Sequence, residues 1–294
     1  MKRRITNLLF GLLFLVGFGI LIYPTVSDQW NTYRQSKLIT GYQEVVSEMR
    51  EEDFTDEWIA ARAYNQALEY NALYTDAFGG SDSELESTDY WKVLNVAEDG
   101  VMGYISIPAI KLKLAIYHGA AENVLQTGVG HIKGTNLPIG GDTNHAVLAA
   151  HRGLPSARLF TDIDQLQPGD MFYIYILNEI YAYQVDQIQD MVDKNDSVAL
   201  GTALALEEGK DYVTLFTCTP YGVNSHRLLV RGIRVDYVAD EKEEVRMTAP
   251  EVMLESVQNY YSFYLILGLS VTILLIVIMK LVMNHRSRKR GKSK

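Results

Sequence analysis

Cysteine occurs once in this chain, at position 218, and proline only seven times in 294 residues. A single thiol excludes an intrachain disulfide framework, so the core must be held by packing alone. Basic residues are also a minority, 27 against 36 acidic, and they are unevenly spread. Three precede the apolar run Ile5–Tyr23, and seven lie at or beyond the end of a second run, Tyr260–Met283. The other 17 face all 36 Asp and Glu, which leaves the central part of the chain near −19. A surface of that sign offers no footprint for a phosphate backbone, so nucleic acid is excluded as a partner. Repeats and low-complexity tracts are missing too.

Residues 1–23 read as a membrane anchor. Lys2-Arg3-Arg4 is followed by an uncharged stretch that, at a rise of ~1.5 Å per residue, is just long enough to cross a bilayer. The stretch is long for a signal peptide, and no small-residue cleavage site stands near Pro24, which favours a retained anchor. Residues 260–283 read as a second span. It opens on an interfacial belt of Tyr260, Tyr261 and Tyr264, and Lys280 can snorkel near its end. A basic tail, 284–294, follows. The positive-inside rule then puts both termini in the cytoplasm and residues 24–259 outside.

Between the spans the pattern changes twice. Residues 24–98 read as a helical region. Tyr42, Val45, Val46 and Met49 fall at i, i+3, i+4 and i+7, one face of a helix. A second helix is expected over Trp58–Tyr74, with Asp53 or Thr55 as its cap. The region includes a loop at 75–83 with paired glycines. Residues 99–238 carry short strand-like runs: Gly103–Ile107, Leu112–Tyr117, Ala146–His151, Met171–Leu177, Tyr181–Gln189, Tyr212–Cys218 and Leu228–Tyr237. One short helix is expected near Ala157–Gln165. Many short strands with few long helices predict a mainly β fold, a closed or nearly closed barrel with short helices. Residues 239–259 read as an acidic linker.

Cys218 ends the strand-like run Tyr212-Val-Thr-Leu-Phe-Thr-Cys218, which Pro220-Tyr-Gly222 breaks. A lone cysteine is most simply a small buried hydrophobe. Its neighbours favour chemistry, because a thiol becomes a nucleophile beside a base or a cation. His151 stands at a strand-to-loop junction. Arg227 lies nine residues after Cys218 and returns beside it if the two strands pair antiparallel. Asp76 and Phe78 occupy the upstream loop. Arg231 and Arg234 read as surface charges alternating with buried Leu and Val. A metal site of His118, His131, His145 and His151 is a weaker reading, since no carboxylate or cysteine stands at ligand spacing. No metal or cofactor is expected.

The string Thr214-Leu-Phe-Thr-Cys218, with His151 upstream and Arg227 downstream, resembles the sortase signature. Ile116-Tyr-His-Gly119, Gly128-Val-Gly-His131, Gly134-Thr-Asn-Leu-Pro138 and His151-Arg-Gly-Leu-Pro155 are similar to class C, pilin-polymerising sortases. So are Leu159-Phe-Thr-Asp162 and the run from Cys218 to Val230. The resemblance covers residues 74 to 237.

It implies a sortase-type β-barrel and a cysteine transpeptidase on the outer face of a Gram-positive membrane. Such an enzyme cleaves a Leu-Pro-x-Thr-Gly signal between Thr and Gly, holds the acyl group as a thioester and passes it to an amine. Carried over, Cys218 is the nucleophile, and His151 is the acid for the leaving amine and the base for the incoming one. Arg227 binds substrate and steadies the oxyanion. In class C the acceptor is a pilin lysine. A wall-anchoring sortase using a peptidoglycan amine, a hydrolytic cysteine peptidase and a non-catalytic binding module are the alternatives. The family's lid motif, Asp-Pro-aromatic, corresponds to Asp76-Ala77-Phe78. There Asp76 would pair with Arg227, Phe78 would cover the sulfur, and Ala77 in place of proline implies a more mobile lid.

Overall fold

The computed structural model describes residues 2–70, 78, 88–238 and 270, with side chains from residue 11 onward. The chain forms two compact units, Met1–Arg246 and Met247–Lys294. The expected linker at 239–259, the tail at 284–294, and the second span apart from residue 270 lie outside the described residues. So do Asp76 and Ala77.

Helix α1 runs from Lys2 to Glu48 with Pro24 inside it. The N-terminal apolar run and the helix expected after Pro24 are therefore one helix, not two segments parted at Pro24. Proline removes one N–H from the ladder, a local cost that the turns on either side outlast. The N-terminal part of α1 is long and apolar enough to cross a membrane, and none of that stretch is buried. Further along, the helix turns a face to the barrel. Gln35, Ile39 and Tyr42 are buried, and Val45, Val46 and Met49 are half-buried, as the i, i+3, i+4, i+7 spacing predicts. The Tyr42 hydroxyl donates to Met102 O (3.1 Å) and accepts from Leu177 N–H (2.7 Å). Gln35 accepts from Ala115 N–H and donates to Thr127 O.

Helix α2 spans Glu51–Ala67, starting before and ending short of the expected Trp58–Tyr74. Its cap is Arg50 rather than Asp53 or Thr55. Asp53 sits in the first turn, and its carboxylate accepts the Arg50 backbone N–H at 2.9 Å. An acid there satisfies an otherwise unpaired donor. Trp58 and Ala61 enter the main core together with Tyr90 of the short helix α3 (Asp89–Lys92).

Among the described residues eight strands follow: β1 (Val101–Ile107), β2 (Leu112–His118), β3 (Val129–His131), β4 (Asn144–Ala149), β5 (Met171–Ile176), β6 (Glu179–Asp193), β7 (Asp211–Thr219) and β8 (His226–Val235). They close a barrel in the order β1-β2-β3-β4-β7-β8-β6-β5. The pairs β2/β3 and β4/β7 are parallel and the others antiparallel. β3 was not expected; at three residues it carries too short an alternation to read. β4 stops at Ala149, so His151 stands just beyond the strand. Helices α4 (Glu122–Leu125) and α5 (Ser197–Ala203) complete the unit, the latter capped by Asp196, which accepts Ala199 N–H at 2.9 Å. The expected helix near 157–165 is a 3₁₀ turn over Leu159–Gln165.

The barrel has apolar packing on both sides of β4, β7 and β8, which positions the site. Successive side chains on a strand point to opposite faces. Ala146, Leu148, Val213, Leu215, Leu228 and Val230 belong to the interior core. Val147, Ala149, Phe216 and Leu229 alternate with them and form a second, outer cluster with Leu200 and Leu204.

Candidate active site

Cys218 lies on the outer face by the same parity, two residues from Phe216. It is 5% exposed. β7 and β8 pair antiparallel, and the register sets Cys218 directly opposite Arg227. The sequence-expected return of Arg227 beside the thiol is thus a register fact. A polar residue on this face survives burial only with partners. The Arg227 guanidinium, 2% exposed, donates to Asn224 O (3.1 Å) and His226 O (2.8 Å).

His151 arrives from the neighbouring strand. β4 runs parallel to β7 with Ala149 opposite Phe216, and two bonds extend the alignment past the strand end. Ala150 N–H donates to Phe216 O (3.2 Å), and the buried Thr217 hydroxyl donates to Ala150 O (2.7 Å). The junction bearing His151 is thereby fixed to the strand bearing Cys218. That gives Thr217, the residue before the thiol, a structural reason to be a hydroxyl.

Phe78 joins these groups. Its ring stacks on Phe216 at 5.8 Å and lies 5.3 Å from the His151 ring. The Arg227 guanidinium sits over it at 5.1 Å, a cation–π geometry. One upstream aromatic therefore touches a residue on β8, one on β7 and the histidine after β4. Phe78 also packs against the outer apolar cluster.

Two neighbours were missed in the sequence. Phe216, the seat of the Phe78 ring, was legible from the period-2 alternation with Cys218. Glu122 was not: both its carboxylate oxygens lie 3.2 Å from His151 Nε2, a contact across 29 residues that no local pattern encodes.

The other histidines serve the scaffold. His145 Nδ1 donates to Ala205 O (3.0 Å), and its Nε2 accepts from the Thr214 hydroxyl (2.8 Å). His131 lies between Tyr90 Oη (2.7 Å) and Asn136 O (2.7 Å), and His118 between Gly100 O (2.9 Å) and Val93 O (2.8 Å). Burial pushes His131 and His145 down to about 4 and lowers His118 as well. Among the described residues no group of three or more His, Cys, Asp or Glu is placed to hold a metal.

Arg231 and Arg234 are half-buried rather than plain surface charges. Arg231 pairs with Asp186 (2.6 Å) and lies over the Tyr212 ring at 4.0 Å, while Arg234 lies over Tyr181 at 4.4 Å. In both cases the guanidinium itself lies over the aromatic face, a cation–π geometry.

The family described as Sortase domain matches residues 105–235. Sortase A of Bacillus anthracis is 29% identical over 235 residues, covering 79% of this chain and 95% of that protein. Among solved structures, sortase C1 of Streptococcus agalactiae aligns at a TM-score of 0.60 and 46% identity, over 69% of this chain and 100% of that one. A Streptococcus pneumoniae sortase C aligns at a TM-score of 0.61 and 40% identity, over 69% and 99% respectively. Fold and sequence together define a cysteine transpeptidase. The chain belongs to the sortase family, and its close structural neighbours are class C sortases.

Proposed function

We propose that this sortase polymerises pilins at the cell surface. It cleaves an LPXTG-type signal between Thr and Gly and transfers the acyl group to a pilin lysine. The observation that carries this reading is the position of Phe78, seated across His151, Phe216 and Arg227 like the lid of a class C enzyme. The similarity to a sortase C whose structure was described for its pilin substrate specificity supports it further.

In this reading the Cys218 sulfur attacks the Thr carbonyl and forms a thioester, and the C–N bond to Gly breaks. His151 gives its proton to the departing amine. A lysine amine then attacks the thioester, gives its proton to His151 and releases the sulfur as an isopeptide forms. Splitting one hard step into two is what nucleophilic catalysis supplies. Arg227 stabilises the oxyanion in each step as a buried, preoriented donor.

The N-terminal part of α1 serves as a membrane anchor, and residues 260–283 as a second span. The catalytic domain lies outside the cell and both termini inside. Asp76 completes the lid by pairing with Arg227.

The test uses the full chain in detergent micelles with a Leu-Pro-x-Thr-Gly peptide and a lysine-bearing pilin fragment. Mass spectrometry should find an acyl adduct on Cys218 and an isopeptide product. An adduct that only hydrolyses favours a peptidase, and one resolved only by a peptidoglycan amine favours wall anchoring. No adduct even in Phe78→Ala overturns the assignment.

A further inference from the structure

Among the described residues Glu122 is the one acidic side chain in contact with the histidine that this reading uses, and that reading gives it no task. Its two oxygens are equidistant from His151 Nε2, at 3.2 Å each. The carboxylate is held from behind, because the Gln126 side-chain amide donates to Glu122 Oε1 at 2.8 Å. Helix α4 is itself fixed. Val124 and Leu125 N–H bond Ala121 O, and Leu125 is fully buried in the outer cluster beside the site. The pair is unequal in exposure, His151 at 16% and Glu122 at 59%. An ion pair this wet adds little to stability, so its effect is sought in the state of the imidazole.

We infer that Glu122 is a positioning residue for His151, holding the Nε2 proton so that Nδ1 is the nitrogen that exchanges protons in catalysis. Among the described residues Nδ1 has no hydrogen-bond partner, whereas Nε2 is engaged by a carboxylate. A carboxylate on one ring nitrogen fixes the tautomer, orients the ring and favours the imidazolium formed when the other nitrogen takes a proton. When the thioester forms, Nδ1–H passes to the leaving amine and the ring becomes neutral with its proton on Nε2. When the lysine attacks, Nδ1 recovers a proton and the charge is again beside Glu122. Of the charged groups around His151, Glu122 from α4 touches it directly, Arg227 of β8 lies across the Phe78 ring, and Arg152 is next in the chain. Arg152 is itself ion-paired with Asp164. Glu122 is the anion in direct contact.

The inference rests on the proposed role of His151, and the test separates the two. The full chain in micelles, carrying Cys218→Ala, is labelled with 15N-histidine, and the His151 resonances are assigned by His151→Gln. In the parent the neutral ring should carry its proton on Nε2, and Glu122→Ala should shift the population toward the Nδ1–H form. Glu122→Asp, which keeps the acceptor, should restore most of the parent pattern. With the Cys218 thiol present, Glu122→Ala should slow isopeptide formation about tenfold, a smaller loss than that of a general acid–base itself. An unchanged tautomer pattern in Glu122→Ala overturns the inference whatever the turnover. Full activity in His151→Ala would instead overturn the functional reading beneath it.

Discussion

Cys218 and Arg227 stand directly opposite each other in the antiparallel register of β7 and β8. The alternation of side chains turns both to the outer face, where Phe78 covers the arginine at 5.1 Å. Thiol and guanidinium are thus held by two paired strands rather than by a loop, which fixes their separation.

Arg227→Ala should slow acyl-Cys218 formation by about a hundredfold, the scale of losing one oriented oxyanion donor. Arg227→Lys should stay well below the parent, because one guanidinium nitrogen already holds both carbonyls and an ammonium has no second nitrogen left to present to substrate. Mass spectrometry of the adduct over time reads both. A fully active lysine variant would remove Arg227 from this role.

Phe78→Ala should speed alkylation of Cys218 by a thiol reagent. Losing about 1.4 kcal/mol of covering contacts corresponds to a tenfold rise. An unchanged rate would show that Phe78 does not close the site.

Buried neutral histidines make stability fall in acid. His131 and His145 titrate near 4 in the fold against an ordinary 6.5, with burial as the first cause. Between those values the unfolded chain binds protons that the folded one does not, so stability rises with pH across the window. The loss starts as pH drops below about 6.5 and is complete below about 4. Thermal midpoints from pH 7.5 to 4.5 should fall accordingly. His145→Asn, if folded at pH 7.5, should show a shallower fall; an equal slope would contradict the assignment.

Tyr42→Phe should destabilise the barrel-bearing unit by about 1–3 kcal/mol. The lost hydroxyl leaves Met102 O and Leu177 N–H, both partnered by it, without that bond. Thermal unfolding measures the change. A neutral result would mean that α1 docks through its apolar contacts alone.

The sequence alone determined what is local. Short strand-like runs broken by Gly and Pro marked seven of the eight strands among the described residues and hence a barrel, the 3.6-residue spacing marked the α1 face, and lone Cys218 pointed to chemistry. Its ends were less legible. α2 begins at Glu51 because Asp53 bonds the Arg50 backbone, a choice among several acids that composition does not rank. β3 is stabilised by its two neighbours rather than by its own three residues. Tertiary structure decided the rest, because the site is assembled across sequence distance. Glu122 meets His151 from 29 residues away, and Phe78 reaches residues on β7, on β8 and after β4. Arg231 and Arg234, which look like surface charges along the strand, meet aromatic rings as diagonal cross-strand neighbours, Tyr212 on β7 and Tyr181 on β6. Periodicity encodes which face a side chain takes, but only the closed sheet decides what it meets there.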